Sequence, residues 1–562
     1  MRQDVEGRPL RVAILSNLVL SPLPALLEWA LLRERVRAEI RVTEFDNIVQ
    51  EAQTLADVDV AIVFWDVANL AADLPSKADL QAPAVEAALT SGTTAAIDQV
   101  LTSLSSIPLV IMNRFSALPF ERHRLSSGAL GRLADHLNRH LDARVQGNLL
   151  LANIDKTYAA VGLDAALDFR QFHAAKTFHT LAFLKAWVMH VLPALRAIAG
   201  RSRKLLAVDC DNTLWGGIIG EDGADGVRMD DLTPDGAAFR EAQLIMKAWR
   251  REGVLLAIVS KNNPDDVDQV LSDSPAMELR DTDFVARKVG WGEKADSLRA
   301  LAVDLNLGLD SFVFLDDSAF ELERVRELLP QVATLQVPER ISDYPAMLRE
   351  AHGLFFNLSR SDEDLRRTEM YRAEATRKEA EAESGSLDDY LASLELRVSV
   401  EEGERVGVAR AAQMTQKTNQ FNLTTRRYTE SDIARFIADP DSVVATFSVS
   451  DRFGDYGVTG LVIARIERAS RQASLDTFLM SCRVLGRKVE NAVMNWVADR
   501  LRREDLSQLS GEYLASAKNA QVADLLDRLG FQRLSADPRG ARYQLALEAY
   551  ADQATPSIEI AA

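Results

Sequence analysis

Short apolar runs alternate with helix-like stretches over the first 200 residues: LRVAILSN (10–17), AEIRVTEFD (38–46), VDVAIVFW (58–65), PLVIMNRF (108–115) and NLLLANI (148–154). Runs that are apolar on both faces, separated by helices, predict a parallel sheet with helices packed on each side. A second series, LLAVD (205–209), VLLAIVS (254–260) and SFVFLDD (311–317), repeats the style, and each run ends in a polar cluster. In an open α/β sheet the ligand site lies at the carboxyl ends of the strands, so these three clusters are expected to converge. The charged stretch SDEDLRRTEMYRAEATRKEAEAESG, nearly free of Gly and Pro, reads as a solvated connecting helix within 356–386. Beyond it the pattern changes to half-buried strands, LELRVSVEE (394–402), SVVATFSVS (442–450), GLVIARIE (460–467) and ASLDTFLM (473–480), followed by two helices, an α+β arrangement. The chain thus divides into an α/β domain over 1–200, a second over 201–355, a connecting helix over 356–386 and an α+β domain over 387–548, with a frayed tail after Tyr550.

Composition narrows the partners. Of 562 residues 47% are hydrophobic and 26% charged, ordinary for a globular protein, and too many for one core. A formal net charge of −18 argues against nucleic acid and against anionic membrane. Two cysteines, Cys210 and Cys482, stand far apart, so no disulfide framework is expected, and a reducing cytoplasm fits. The N-terminus MRQDVEGRPLR has no signal-peptide core, and the most apolar long stretch (181–200) is interrupted by Lys185, His190 and Arg196, so it reads as an amphipathic helix.

The chemistry gathers in KLLAVDCDNTLWGG (204–217). Asp209 and Asp211 follow a strand with nothing basic beside them, and two carboxylates so close repel unless a cation sits between them. Alone, Asp-x-Asp at a strand end is a turn and helix cap. Here Ser260 and Lys261 end the second strand, Lys294 opens the helix KADSLRALAVDL, and Asp316 and Asp317 end the third strand. A hydroxyl and a lysine suit phosphoryl oxygens, and the carboxylates form an all-oxygen set suited to Mg²⁺.

This order of motifs resembles the haloacid dehalogenase (HAD) superfamily of phosphotransferases. The wording DCDNTLWGGIIGEDG, SKNN, WGEK and DSFVFLDDSAFE resembles its FkbH-like branch, in subfamily IIIC, as do QKTNQFNLTTRRY, DRFGDYG and SCRVLGRKVE further on. The resemblance implies a HAD Rossmann-like central domain. It also implies an enzyme that takes a glyceryl unit from 1,3-bisphosphoglycerate, removes phosphate with Mg²⁺, and leaves the acyl group on a phosphopantetheinylated acyl carrier protein. By it, Asp209 is the phospho-acceptor and Asp211 the general acid/base. Thr213, Ser260, Lys261 and a lysine bind phosphate, and Asp209, Asp211, Asp316 and Asp317 hold the metal. That lysine is Lys294 or Lys288, with Lys294 favoured because it starts a helix. Cys210, Trp215, Gly216 and Gly217 read as packing and turn residues.

The strand ending at Met480, the turn Ser-Cys-Arg-Val-Leu-Gly-Arg-Lys and the helix after it resemble the acyl-CoA site of GNAT acetyltransferases. Arg483 and Gly486 match that turn, whereas Lys488 stands where a small residue is usual. The expectation is a GNAT-like fold whose pantetheine groove and a basic patch of Arg483, Arg487 and Lys488 receive the carrier, helped by Asn419 and Arg426. The cluster Lys417, Asn419, Asn422, Arg426 and Arg427 reads either as a solvated loop or as a clamp for the phosphoglycerate carboxyl or phosphate, or for the carrier. Asp451, Gly454, Asp455 and Gly457 form a turn-like segment that reads either as a structural turn or as a site. Cys482, beside these cations, reads either as a nucleophilic acyl relay or as a small buried residue. The first domain resembles the flavodoxin/SGNH-like layer, but Leu15-Ser16-Asn17 replaces Gly-Asp-Ser, and Asp168 lacks a His at the right spacing, with His173 and His179 further on. A scaffold or docking role follows for that domain. Two other functions remain open: a stand-alone small-molecule phosphatase, and a carrier-docking scaffold whose catalytic motifs are vestigial.

Overall fold

The computed structural model describes residues 8–145, 147–358, 370, 377, 387–516, 518–555 and 558–561, and the chain forms two compact units. One comprises Met1–Ala199 with Arg427–Arg435, so that a short stretch of the third segment belongs to the first unit. The other comprises Gly200–Arg426 and Phe436–Ala562.

In the first unit, β1 (Leu10–Ser16), β2 (Ala38–Val42), β3 (Val60–Phe64), β4 (Leu109–Asn113) and β5 (Leu149–Ala152) form one parallel sheet in the order β2-β1-β3-β4-β5. β3 and β4 are buried along their whole length, which is why they read as unbroken apolar runs. The helix Leu181–Ile198 is long and apolar enough to cross a membrane by length and composition alone. Here it packs on the helices Leu23–Arg33 and Ile154–Val161 and buries Phe183, Leu184, Trp187, Val191 and Leu195.

The second unit holds two sheets. β6 (Leu205–Val208), β7 (Leu255–Ser260), β8 (Phe284–Val289), β9 (Phe312–Asp316) and β10 (Ala333–Gln336) are parallel in the order β10-β9-β6-β7-β8. Alternate residues feed two cores. Leu206, Val208, Leu256 and Ile258 join one, while Leu205, Ala207, Leu255 and Ala257 join the other. β8 and β10 are additions to the sequence reading. β8 lies at the sheet's edge and carries Arg287 and Lys288, and β10 has only four residues.

The other sheet contains β11 (Leu396–Glu402), β12 (Ser442–Asp451), β13 (Gly454–Glu467), β14 (Gln472–Met480), β15 (Gln508–Leu514), β16 (Gln532–Asp537), β17 (Gly540–Ala546) and β18 (Ile558–Ala561). Their order is β16-β17-β15-β14-β13-β12-β11-β18, with the helix Val489–Arg503 following β14. β14 and β15 pair in parallel only over Gln472–Leu475 and Gln508–Gly511. The stretch KNAQVADLLDRLGF (518–531), whose apolar spacing suits a helix, forms a 3-10 turn, Ala520–Val522, and a one-turn helix, Leu525–Arg528. Asn519 explains the break: its buried side chain accepts from Ser516 N (2.8 Å) and donates to the carbonyls of Leu514 and Asn422 (2.9 Å each). The connecting helix over 356–386 lies almost wholly outside the described residues. Within it Arg377 is described, and its buried guanidinium pairs with Asp451 at 2.7 Å. Asp451 also accepts from Tyr456 Oη and from the N–H groups of Phe453 and Gly454, so it organises the β12–β13 turn.

Candidate active site

The three polar clusters do converge. Asp209, one residue past β6, is fixed by its N–H to Leu315 O (3.0 Å), which ties it to the end of β9. Lys294, at the start of the helix Lys294–Asp304, is buried and bridges Asp209 Oδ1 (3.0 Å) and Asp316 Oδ2 (2.6 Å). The lysine at the site is therefore Lys294, whereas Lys288 pairs with Asp304 at 2.7 Å. Ser260, at the end of β7, hydrogen-bonds Asp209 and accepts from Asn262 Nδ2 (3.1 Å). Asp316 Oδ1 accepts from Ser318 N (2.8 Å).

Asp209, Asp316 and Asp317 each present a carboxylate oxygen within 4.8 Å of the others. Burial pushes the pKa of all three upward. At Asp209 the charge of Asp316 adds to this while Lys294 and Ser260 oppose it, and at Asp316 Lys294 opposes it. Burial works against the charge on Lys294, but Asp209 and Asp316 outweigh it and raise its pKa. Three carboxylates and one ammonium leave a charge near −2 in a largely dry site, which matches a hard divalent cation with oxygen ligands.

The Asp211 carboxylate is not in this metal-type cluster. Its Oδ1 accepts from Trp215 Nε1 (2.9 Å) and Ile219 N (3.1 Å), and its Oδ2 accepts from Asn262 Nδ2 (3.1 Å). The turn that aims it depends on Asn212, which adopts φ 50° and accepts from Gly217 N through Oδ1 at 3.0 Å. Asn262 and Trp215 are thus site residues that the sequence reading left out or read as packing. The four-residue spacing of Asp211 and Trp215 was the available signal for one. Asn262, two residues past Ser260, stands in the quoted SKNN stretch, but no role could be read for it because its partner Asp211 lies on another strand's loop. Thr213 is fully buried and its hydroxyl has no hydrogen-bond partner. Lys261 turns to Glu321 at 2.6 Å. Cys210 is buried in the core below the turn, and burial, then Asp209, raises its pKa well above the ordinary thiol value.

The third domain departs from the expected carrier surface. Arg483 and Arg487 are buried (8% and 7% exposed), Arg487 lying over the Tyr456 ring at 5.2 Å, so they form no exposed basic patch; Lys488 is exposed at φ 58°, and Gly486 is exposed. The reason is that the turn folds under the β12–β13 hairpin. Arg426 pairs with Asp476 (2.8 Å) and Glu512, and the buried Asn422 closes a turn on Thr424 and Thr425. Beyond Leu475 and Gly511 the gap between β14 and β15 is filled by the chain itself. Leu423 N donates to Phe478 O (3.2 Å), Met480 N to Phe421 O (3.0 Å) and Leu514 N to Leu423 O (2.8 Å). A cavity of about 310 Å³ remains at this splay, lined from β14 by Leu475 and Asp476 and from β15 by Gly511 and Glu512. Asn419 lines a cavity elsewhere in this unit. The side chain of Cys482 lies outside the described residues.

In the first unit, Asn17 stitches β1 to β3 by paired bonds with the backbone of Asp66 (2.7 and 2.8 Å), and Ser16 Oγ accepts from Leu18 N. Asp168 is held by Arg170, His173 is exposed, and His179 is buried with Nε2 2.8 Å from Tyr158 Oη. Ser16, Asp168 and His179 each have other partners.

No protein-family model and no curated protein matches the chain. Among solved structures it is similar to the N-terminal part of BF1531 from Bacteroides fragilis, which contains a phosphatase domain and was crystallised with Mg. That likeness has a TM-score of 0.55 at 25% identity and covers 63% of this chain and 96% of the other. It is also similar to the ribosomal-protein-S18-alanine N-acetyltransferase from Escherichia coli (TM-score 0.21, 16% identity, 28% of this chain and 97% of that one). Mutant forms of the spermidine/spermine N-acetyltransferase SpeG from Vibrio cholerae give a TM-score of 0.22 at 15% identity, over 27% of this chain and 95% of theirs.

Proposed function

We propose that this chain is a Mg²⁺-dependent phosphatase of the HAD type, acting in the FkbH-like manner. It takes a glyceryl unit from 1,3-bisphosphoglycerate, removes phosphate, and loads the acyl group on an acyl carrier protein in the cytoplasm. The observation that carries the phosphatase half is the set Asp209, Lys294, Asp316 and Asp317, oxygen-rich, buried and near −2 in charge, beside an oriented Asp211. BF1531's phosphatase domain, complexed with Mg, supports the same reading.

Asp209, Asp316 and Asp317 would hold the ion, which when bound supplies charge to the phosphoryl oxygens and lowers the pKa of the site's carboxylates. Lys294 and Ser260 bind phosphoryl oxygens. Asp209 Oδ attacks phosphorus, the P–O bond to the substrate breaks, and Asp211 gives its proton to the departing oxygen. Asp211 then takes a proton from water, whose oxygen attacks the phosphorus of the phospho-Asp209, releasing phosphate and restoring the carboxylate. Trp215 and Asn262 keep Asp211 aimed throughout.

The glyceryl and carrier parts rest on the resemblance of the motifs. Their test is the intact mass of a holo acyl carrier protein after incubation with the chain, Mg²⁺ and 1,3-bisphosphoglycerate. A carrier heavier by one glyceryl group is the expected result. Free phosphate with an unmodified carrier would leave a small-molecule phosphatase.

A further inference from the structure

Three loops at the carboxyl ends of the β6–β10 sheet carry exposed apolar side chains that the phosphatase reading does not use. Ile218 follows the turn after β6, Trp291 the end of β8, and Phe320 the end of β9. Each stands close in sequence to a residue of the Asp209 site. Ile218 precedes Ile219, whose N–H donates to Asp211 at 3.1 Å. Trp291 lies three residues before Lys294, which bridges Asp209 and Asp316. Phe320 lies three residues after Asp317, a member of the carboxylate cluster.

The segment 260–263 ties these loops together. Ser260 hydrogen-bonds Asp209. Lys261 binds Glu321, the neighbour of Phe320, at 2.6 Å. Asn262 donates to Asp211 (3.1 Å), and Asn263 Oδ1 accepts from Trp291 Nε1 (3.3 Å). Arg324, in the helix Ala319–Leu328, pairs with Glu293 at 3.0 Å and joins the Phe320 helix to the Trp291 loop. These bonds hold the three apolar side chains at the mouth of the site.

Trp291 is 72% exposed, Phe320 68% and Ile218 40%. Apolar residues exposed singly need no explanation. Between residues 200 and 355, however, the exposed aromatic side chains are Trp291 and Phe320, and both stand at this end of the sheet, whereas the exposed Leu244 and Val303 lie on covering helices. With a phosphoryl group held among Asp209, Ser260 and Lys294, the rest of a substrate must lie in the opening between these loops. Cations there, Lys261 and Arg324, are already paired with Glu321 and Glu293, so the rim favours an uncharged segment over a second anionic group. Covering the rings withdraws apolar surface from water on both partners.

We propose that Ile218, Trp291 and Phe320 are specificity-determining residues that receive an uncharged, apolar segment of the phosphorylated substrate, next to its phosphate. This rests on the phosphatase half of the function proposed above and adds a substrate class to it: phosphomonoesters whose organic part is apolar over several atoms.

The test is calorimetric titration of the full chain, with Mg²⁺, using methyl-, butyl- and hexylphosphonate and 3-phosphonopropionate, whose C–P bonds are not cleaved by attack at phosphorus. A methylene fully withdrawn from water strengthens binding roughly fourfold, and a rim open on one side supplies part of that. Hexylphosphonate should therefore bind at least tenfold more tightly than methylphosphonate, with butylphosphonate between them and 3-phosphonopropionate no better than methylphosphonate. Trp291→Ser and Phe320→Ser should each cut the gain at least threefold and leave methylphosphonate unchanged. Trp291→Phe, which keeps a ring, should retain most of the gain, and Leu244→Ser, a loss of apolar surface elsewhere, all of it. Thermal melts establish that each variant is folded. Phosphate release from butyl phosphate, measured on the same protein, separates the rim from the reaction. A chain-length gain that the serine variants lose supports the rim, and absent phosphate release would then count against the phosphatase reading alone. Affinity independent of chain length, a gain that both serine variants keep, or no binding of any phosphonate would overturn the proposal, while phosphate release would leave the phosphatase reading standing.

Discussion

In the proposed mechanism two residues carry the reaction, Asp209 and Asp211, and two others, Trp215 and Asn262, aim Asp211. Asp209→Asn keeps the volume and the Ser260 contact but removes the attacking oxygen and one cation ligand, so phosphate release should vanish while the melt is retained. Asp211→Asn should slow release by about 10² to 10⁴-fold, the usual worth of general acid/base help. Trp215→Phe tests aim. It removes one charge-assisted hydrogen bond to Asp211, worth about 1.5–3 kcal/mol, without opening a large cavity. Steady-state kinetics should show kcat reduced about ten- to a hundredfold with KM little changed. A change confined to KM would mean that Trp215 shapes substrate binding instead. Much of this site was legible in the chain, because Asp209, Ser260, Lys294 and Asp316 each follow a strand or open a helix, and the fold's rule for strand ends brings them together. Asn262 was not legible, since its role is a bond to a loop 51 positions away.

At the scale of elements, the segment Phe421–Leu423 acts as a spacer between two diverging strands, and Asn519 locks it by donating to Asn422 O. Asn519→Ala would leave Leu514 O and Asn422 O without that donor and a cavity beside them, and should cost about 1–3 kcal/mol in the second unit. Urea unfolding, followed by exchange into peptides of β14 and β15, would measure it; an unchanged midpoint would mean that the spacer holds by packing alone. The sheets reveal why some elements escaped the sequence reading. β6, β7 and β9 are covered on both faces and read as apolar runs, whereas β16 is exposed along its whole length and offers no alternation to detect. Likewise the KNAQVADLLDRLGF stretch has helical spacing, but the side chain of Asn519 outbids the helix for backbone partners. The buried state of Arg483 and Arg487 depends on long-range packing, and no local pattern encodes it.

At the scale of the whole molecule, the two units answer pH and metal through different groups. In the first, burial raises Asp66 to about 7 from an ordinary 3.8 and lowers His179 to about 3 from 6.5. The raised Asp66 favours the fold below about pH 3.8, and that contribution is lost as pH climbs to about 7. The depressed His179 favours it above about pH 6.5, and its contribution is lost as pH falls toward 3. Between about pH 4 and 6.5 the two slopes oppose each other, so Asp66→Asn should expose the histidine's slope. Hydrogen exchange of β1 and β3 peptides, corrected for intrinsic rates, should then lose protection as pH falls, by up to about 1.4 kcal/mol per pH unit. A flat profile in the variant would mean that His179 is protonated at no cost. In the second unit the central claim is that phosphate passes through Asp209, and one measurement addresses it most directly. Asp211→Asn protein, slowed in hydrolysing the intermediate, is mixed with Mg²⁺ and a phosphorylated substrate, quenched in acid, and mapped by peptide mass. The account predicts one phosphate on the peptide containing Asp209, absent when EDTA is present and absent when Asp209 is also Asn. Phosphate release that continues in Asp209→Asn, with no adduct at that residue, would contradict it.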